Sequence, residues 1–433
     1  MFRTIFPLFA LLCVSAFASS DTSPDERLVQ ALLFNNARGV EAALAAGANP
    51  DLRDERIGTP LITALATNQP ESASLLLDHH ADVNLTTSSY PPLFNAGWNN
   101  LVDLMKRMIS LGAKVNYELP KGRTLVSALA ERNVTEPVRL LVDAGAKVDI
   151  HEENYQSSTP LLYASQAGNG ELIRILLAHG ANAKDVQTDG TTALIFAVKA
   201  GSRGGVAALV KAGAELERKD ELSRTALGYS VSSLYHPDFE IVLALVEAGA
   251  NVNAENSNGE SVLFLASSGS DTRIVGLLID QGADVNARDN YKQTPLMEAA
   301  RAGGSIDMIE LLLKHGAEIN ARSAGNTTAL IWAAHSRNED AGIYLINHGA
   351  DVNVAENAHG ATALIYAAAY SRNALAFTLI DRDADVNAKL DSDNSPLYFA
   401  KYYSNCPLIR KLLERGAVDP LQGPMPACPA QAG

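Results

Sequence analysis

Three histidines, His179, His315 and His348, each stand directly before a glycine-alanine pair, and imidazoles placed so regularly suggest metal chemistry. A zinc ion holds each ligand at about 2 Å, whereas packed helices stand ~10 Å apart, so histidines repeating once per helix pair cannot share an ion. They read as polar residues in the last turn of a helix, set against its negative end. His79 and His80 are adjacent and diverge on a helix, so no metal ligand is expected from them either. The chain contains no GxxxxGK[ST], HExxH, GxSxG or CxxC, so phosphate cradles, zinc peptidase sites, nucleophile elbows and redox pairs have no foothold. No catalytic residue, cofactor or metal is expected. Cys406 and Cys428, close together near the end of the chain, are expected to pair in an oxidising compartment.

The elements that position these residues follow from a repeat. Gly-Ala recurs at Gly47, Gly112, Gly145, Gly180, Gly213, Gly249, Gly282, Gly316, Gly349 and Gly416, with His80 and Asp383 in the same slot of two degenerate copies. A period of about 33 residues sustained along the chain means stacked supersecondary units. About a dozen residues after each turn comes a second landmark, as in Thr59-Pro60-Leu61, Thr192-Ala193-Leu194 or Ser395-Pro396-Leu397. Threonine or serine caps a helix and proline suits its first turn. A leucine recurs at eleven sites from Leu61 to Leu397, Leu125 among them, and a small residue follows three positions on, letting neighbouring helices approach. A second apolar helix, such as Ile306 to His315, then runs to the next glycine, which ends it in the left-handed conformation.

With TPLxxA opening one helix and GADVN following the other, the chain resembles an ankyrin-repeat protein over roughly residues 24 to 418. The resemblance implies an all-α repeat solenoid, about twelve stacked helix pairs joined by β-hairpin or turn fingers. The family's histidine after TPL is missing throughout, replaced by residues such as Ile62, Phe94, Ile195 and Ile365, so its hydrogen-bond ladder is expected to give way to packing. Aromatics at the fifth motif position, Tyr163, Phe196, Tyr229, Trp332, Tyr366 and Phe399, are expected in the core, between layers.

Residues 1 to 20 carry Arg3, an apolar run from Ile5 to Val14 and the small-residue site Ala16-Phe17-Ala18, the pattern of a bacterial signal peptide. The expected organisation is a signal peptide over 1–20 and a repeat array over 21–420, followed by an irregular proline-rich tail over 421–433. Within the array, atypical capping units span 24–50 and 388–418 and about ten internal units lie between. The expected compartment is the periplasm, with secretion outside the cell second, and no stable membrane insertion after cleavage. A net charge of −14 with no basic cluster disfavours nucleic acid and suits a neutral or basic protein partner.

The two residues after the motif alanine locate the expected binding face. The first is small or apolar, as in Leu65, Val198 and Ala334, and faces the core. The second varies freely, through Ala66, Trp98, Ala130, Gln166, Lys199, Ser232, Ser268, Arg301, His335, Ala369 and Tyr402, and is expected on the concave palm. Trp98, Arg301 and Tyr402 are the candidate hot spots, with Gln166, Lys199 and His335 as lesser contacts. The reading is a monomeric, non-catalytic scaffold holding a protein partner. An immunity or inhibitor protein acting on a toxin or hydrolase, and an accessory envelope enzyme, remain as alternatives.

Overall fold

A computed structural model describes residues 22–86, 89–152, 157–303 and 305–418. The proposed signal peptide, the tail 421–433 and Cys428 lie outside the described residues. The chain divides into two compact units, Met1–Ala164 with Ala178–Ala181 and Ser165–Leu177 with Asn182–Gly433.

Both units are built from pairs of short helices. An inner helix such as Pro60–Ala66 or Ala363–Ala369 is followed by an outer one such as Pro70–Asp78 or Asn373–Asp381. Helices this short do not persist alone in water, so packing carries them. Within each unit inner helices stack on inner helices and outer on outer. The motif residues act locally as their chemistry dictates. Thr192 accepts a hydrogen bond from the Ile195 amide at 3.1 Å, and Ser261 one from Phe264 at 3.1 Å. Ser23 caps the first helix, Pro24–Leu33, through the Glu26 amide, while the Glu26 carboxylate turns away to Arg56. The turn slot is left-handed even where glycine is replaced, with φ of 64° at His80 and 62° at Asp383. Among the described residues four fingers are turns closed by a single bridge and one, Glu118–Leu119 with Arg123–Thr124, forms a two-strand ladder.

The missing histidine ladder is replaced by more than packing. Asn84 donates to the Gly112 carbonyl at 3.0 Å and accepts from the Lys114 amide at 2.8 Å, tying one finger to the next. Asn116 does the same for Gly145 and Lys147. In the second unit Asn253, Asn286, Asn320, Asn353 and Asn387 repeat the arrangement. This asparagine ladder lies in the fingers, where the side chain supplies both an acceptor and a donor.

One register differs from the sequence reading. Thr124 caps Leu125–Glu131 and exchanges hydrogen bonds with Ser127, so the helix begins at Leu125 and Val126 takes the place that Leu61 holds elsewhere. Ala130 is consequently fully buried rather than exposed, and Glu131 occupies the outward position. Leu129 stands where other units have alanine, and the bulk is accommodated by Gly97, since a Cβ there would lie 2.5 Å from a Leu129 methyl group. A 3-10 turn over Ser233–Tyr235 follows a truncated inner helix, Ala226–Ser230. That truncation buries Ser232, a second departure from the expected exposed series.

Candidate binding surface

The expected contact residues sit at the ends of inner helices, where side chains leave the core beside the fingers. Trp98 ends Pro92–Trp98 and is 39% exposed; its ring lies 5.4 Å from Phe94, with the Arg132 guanidinium 4.7 Å above it. Gln166 is exposed at the end of Pro160–Gln166. Lys199 is half-buried, its ammonium 4.9 Å from the Tyr229 ring and 5.6 Å from Tyr235. Arg301 is exposed but already engaged: Nε and Nη2 each donate to the Glu298 carboxylate at 2.7 Å. Cys406 opens the last outer helix, Cys406–Glu414, and its expected pairing with Cys428 falls outside the described residues. In that helix Lys411 and Arg415 reach back to Asp381 at 2.7 and 2.8 Å.

The structure brings the remaining candidates together with residues the sequence reading placed in the core. His335 is exposed and meets three rings edge-on, Trp332 at 5.8 Å, Tyr366 at 5.0 Å and Tyr370 at 6.3 Å. Tyr366 and Tyr370 stack at 6.2 Å. On the next inner helix, Pro396–Tyr402, Tyr398 touches Phe399 and stacks with Tyr402, which is 69% exposed and lies edge-on to Tyr403. A groove of about 350 Å³ lies among Tyr366, Tyr370 and Phe399, with Glu356 and Asp391 from two fingers at its margin.

Only Tyr229 among the fifth-position aromatics is fully buried; the others are half-buried beneath the fingers. The three tyrosines among them each find a partner for the hydroxyl in a finger. Tyr163 donates to Glu152 at 3.0 Å, Tyr366 to Glu356 at 2.9 Å, and Tyr229 to Asp220. Each tyrosine thus latches its own inner helix to the preceding finger. Burial, reinforced by the carboxylate, pushes all three phenols well above their ordinary range, so they remain donors at any physiological pH. The sequence signal for these latches is an acidic residue nine to eleven positions before a fifth-position tyrosine.

The flanking histidines behave as helix-end residues. His348 donates from Nδ1 to the Tyr344 carbonyl at 2.8 Å and stacks on that ring, and His179 lies 3.1 Å from Asp143.

Comparison with known proteins agrees with this architecture. A family model described as "Ankyrin repeats (3 copies)" matches residues 28–119, 93–185, 125–220, 227–323 and 322–390. The chain is similar to the ankyrin repeat and KH domain-containing protein mask-1 of Caenorhabditis elegans, with 30% identity over 275 residues, 62% of this chain and 9% of that protein. It is 28% identical over 268 residues to the B-cell lymphoma 3 protein homolog of Mus musculus, 59% of this chain and 50% of that one. It is 24% identical over 269 residues to the human transient receptor potential cation channel subfamily A member 1, 59% of this chain and 24% of that one. The chain therefore spans half the length of these relatives or less. The human ASB11 ankyrin repeat domain aligns with a TM-score of 0.46 and 23% identity, covering 53% of this chain and 99% of that domain. Helix pairs, left-handed turns, finger ladders and the family match agree: the chain belongs to the ankyrin-repeat family.

Proposed function

We propose that this chain is a non-catalytic scaffold that holds a protein partner against the inner-helix face of its second unit, after export to the periplasm. Ankyrin repeats are in general protein–protein interaction scaffolds. The observation that carries the reading here is the aromatic cluster of exposed His335 and Tyr402 with half-buried Tyr370 and Tyr398, on three successive inner helices and their ends. Tyrosine is enriched at binding hot spots because it offers a large rigid face and a polar tip at low entropic cost.

The test begins with crosslinking in cells and mass spectrometry of the trapped partner. Tyr402→Ala is then expected to lose ~2 kcal/mol of affinity, about thirtyfold in Kd, and His335→Ala somewhat less. Stability should move by under ~0.5 kcal/mol in Tyr402→Ala, because the ring is mostly in water. Calorimetric titration and thermal melting read both quantities. Unchanged affinity in both variants would remove the partner from this face.

Export rests on the apolar run and the Ala16-Phe17-Ala18 site. Intact mass and N-terminal sequencing of the accumulated protein should show a start between Ser19 and Asp21, with Cys406 and Cys428 resistant to alkylation until reduced. Closing that loop would stabilise the last unit by roughly 3 kcal/mol. A retained Met1 defeats the export proposal, and two reactive thiols in the exported protein defeat the pairing.

A further inference from the structure

Two pairs of neighbouring inner helices in the second unit share one side-chain relation. The seventh residue after a capping residue lies against the ring carried by the fourth residue after the cap of the next helix. Lys199, seventh after Thr192, places its ammonium 4.9 Å from the ring of Tyr229, fourth after Thr225. His335, seventh after Thr328, meets the ring of Tyr366, fourth after Thr362, edge-on at 5.0 Å. Between Ala363–Ala369 and Pro396–Tyr402 the relation leaves a gap: the seventh residue is Ala369, and the facing ring is Phe399, fourth after Ser395. A methyl group cannot fill the place that a lysine or histidine takes elsewhere. The groove of about 350 Å³ opens there, lined by Ala369 as well as by Tyr366, Tyr370 and Phe399.

We infer that this groove receives one basic side chain, a lysine or an arginine, from an extended segment of the protein partner, in the place that Lys199 fills at Tyr229. The volume suits one long side chain and the backbone that carries it. The chemistry is that of a cation with an apolar stem. Tyr366, Tyr370 and Phe399 line it with aromatic rings, whose faces attract positive charge, and Ile365 and Ala369 add apolar lining for the methylenes. Tyr370 already serves as a cation platform, since the Arg337 guanidinium sits 4.7 Å from its centroid while lying outside the groove's lining. Glu356 and Asp391 supply negative charge at the margin, and the chain as a whole carries −14, so an acidic side chain is repelled.

This inference rests on the inner face being the partner surface, and peptide probes test it without the partner. The probes are labelled twelve-residue glycine-serine peptides bearing lysine at three alternate positions, with arginine, norleucine and glutamate versions, titrated by fluorescence anisotropy at low salt. Lysine and arginine peptides should bind at least tenfold more tightly than norleucine, and glutamate peptides should not bind. Ala369→Lys, which places the chain's own cation in the groove, should abolish binding. Tyr370→Leu, which keeps apolar bulk but removes the ring, and Asp391→Asn should each weaken binding fivefold or more. Asp307→Asn changes the charge as much as Asp391→Asn but sits on an outer helix, and should have no such effect. Binding that survives Ala369→Lys, or that weakens equally in Asp307→Asn, overturns the inference in favour of diffuse charge attraction. A trapped partner that responds to Tyr402→Ala but not to Ala369→Lys overturns it too, while leaving the partner on the inner face.

Discussion

Arg123→Ala is expected to cost about 3 to 5 kcal/mol, because it strips a buried carboxylate of its counter-charge. The partner, Glu152, has no solvent exposure at all. One Glu152 oxygen accepts from Arg123 Nε at 3.2 Å and the other from the Tyr163 hydroxyl at 3.0 Å, and Arg123 also bonds Glu131. Removing the guanidinium leaves that carboxylate with a single neutral donor, and a buried charge left alone costs far more than the pair was worth. The double variant Arg123→Met with Glu152→Gln should recover most of the loss, because the amide keeps an oxygen for Tyr163 and no charge is buried. Repeat arrays unfold by neighbouring units, so urea unfolding followed by hydrogen exchange around residues 118–152 is the appropriate measurement. A loss under ~1 kcal/mol in Arg123→Ala, or a double variant no better than the single, would show that the pair does not act as this geometry requires.

The backbone of this protein is legible in its sequence because the physics is local. Glycine or a tolerated substitute in the left-handed slot, threonine at the cap and leucine two residues later each act within one turn of helix, and His80 and Asp383 adopt the predicted conformation despite lacking glycine's freedom. The legibility ends where one residue of register or a side chain of the next unit decides. The landmark at Leu125 resembles the others, but the cap at Thr124 shifts the helix by one position, which buries Ala130 and exposes Glu131. The tyrosine latches pair residues about ten positions apart across a finger of variable length, so the periodic pattern shows the ring and not its carboxylate. The groove at Ala369 is visible only once Lys199 and His335 have been seen covering the equivalent rings.

Arg301 shows why variability within a repeat is a weaker guide to binding than it looks. Its position varies from unit to unit and its side chain is 46% exposed, yet the guanidinium grips Glu298, whose side chain is only 5% exposed. Arg301→Ala should therefore lower stability by about 2 kcal/mol at neutral pH, less than a fully buried pair because solvent screens the exposed cation. Burial raises the Glu298 carboxyl above its ordinary value of 4.5, Arg301 pulls it partly back, and Glu260 and Asp289 push it further up. A carboxyl raised in the folded state stabilises the fold while protonated, and that contribution is lost as pH rises through the folded value. Without Arg301 the folded value climbs further, so the deficit against wild type should be largest near pH 7.5 and contract toward pH 4, where both proteins carry a neutral Glu298. Thermal melts of wild type, Arg301→Ala and Arg301→Ala with Glu298→Gln across that range decide the matter, the double variant being expected to show little deficit at any pH. A deficit that is flat with pH would mean that Arg301 stabilises by stem packing alone. In either event any affinity lost in Arg301→Ala must be corrected for the unfolding of the unit that carries Glu298 before it is credited to a partner contact.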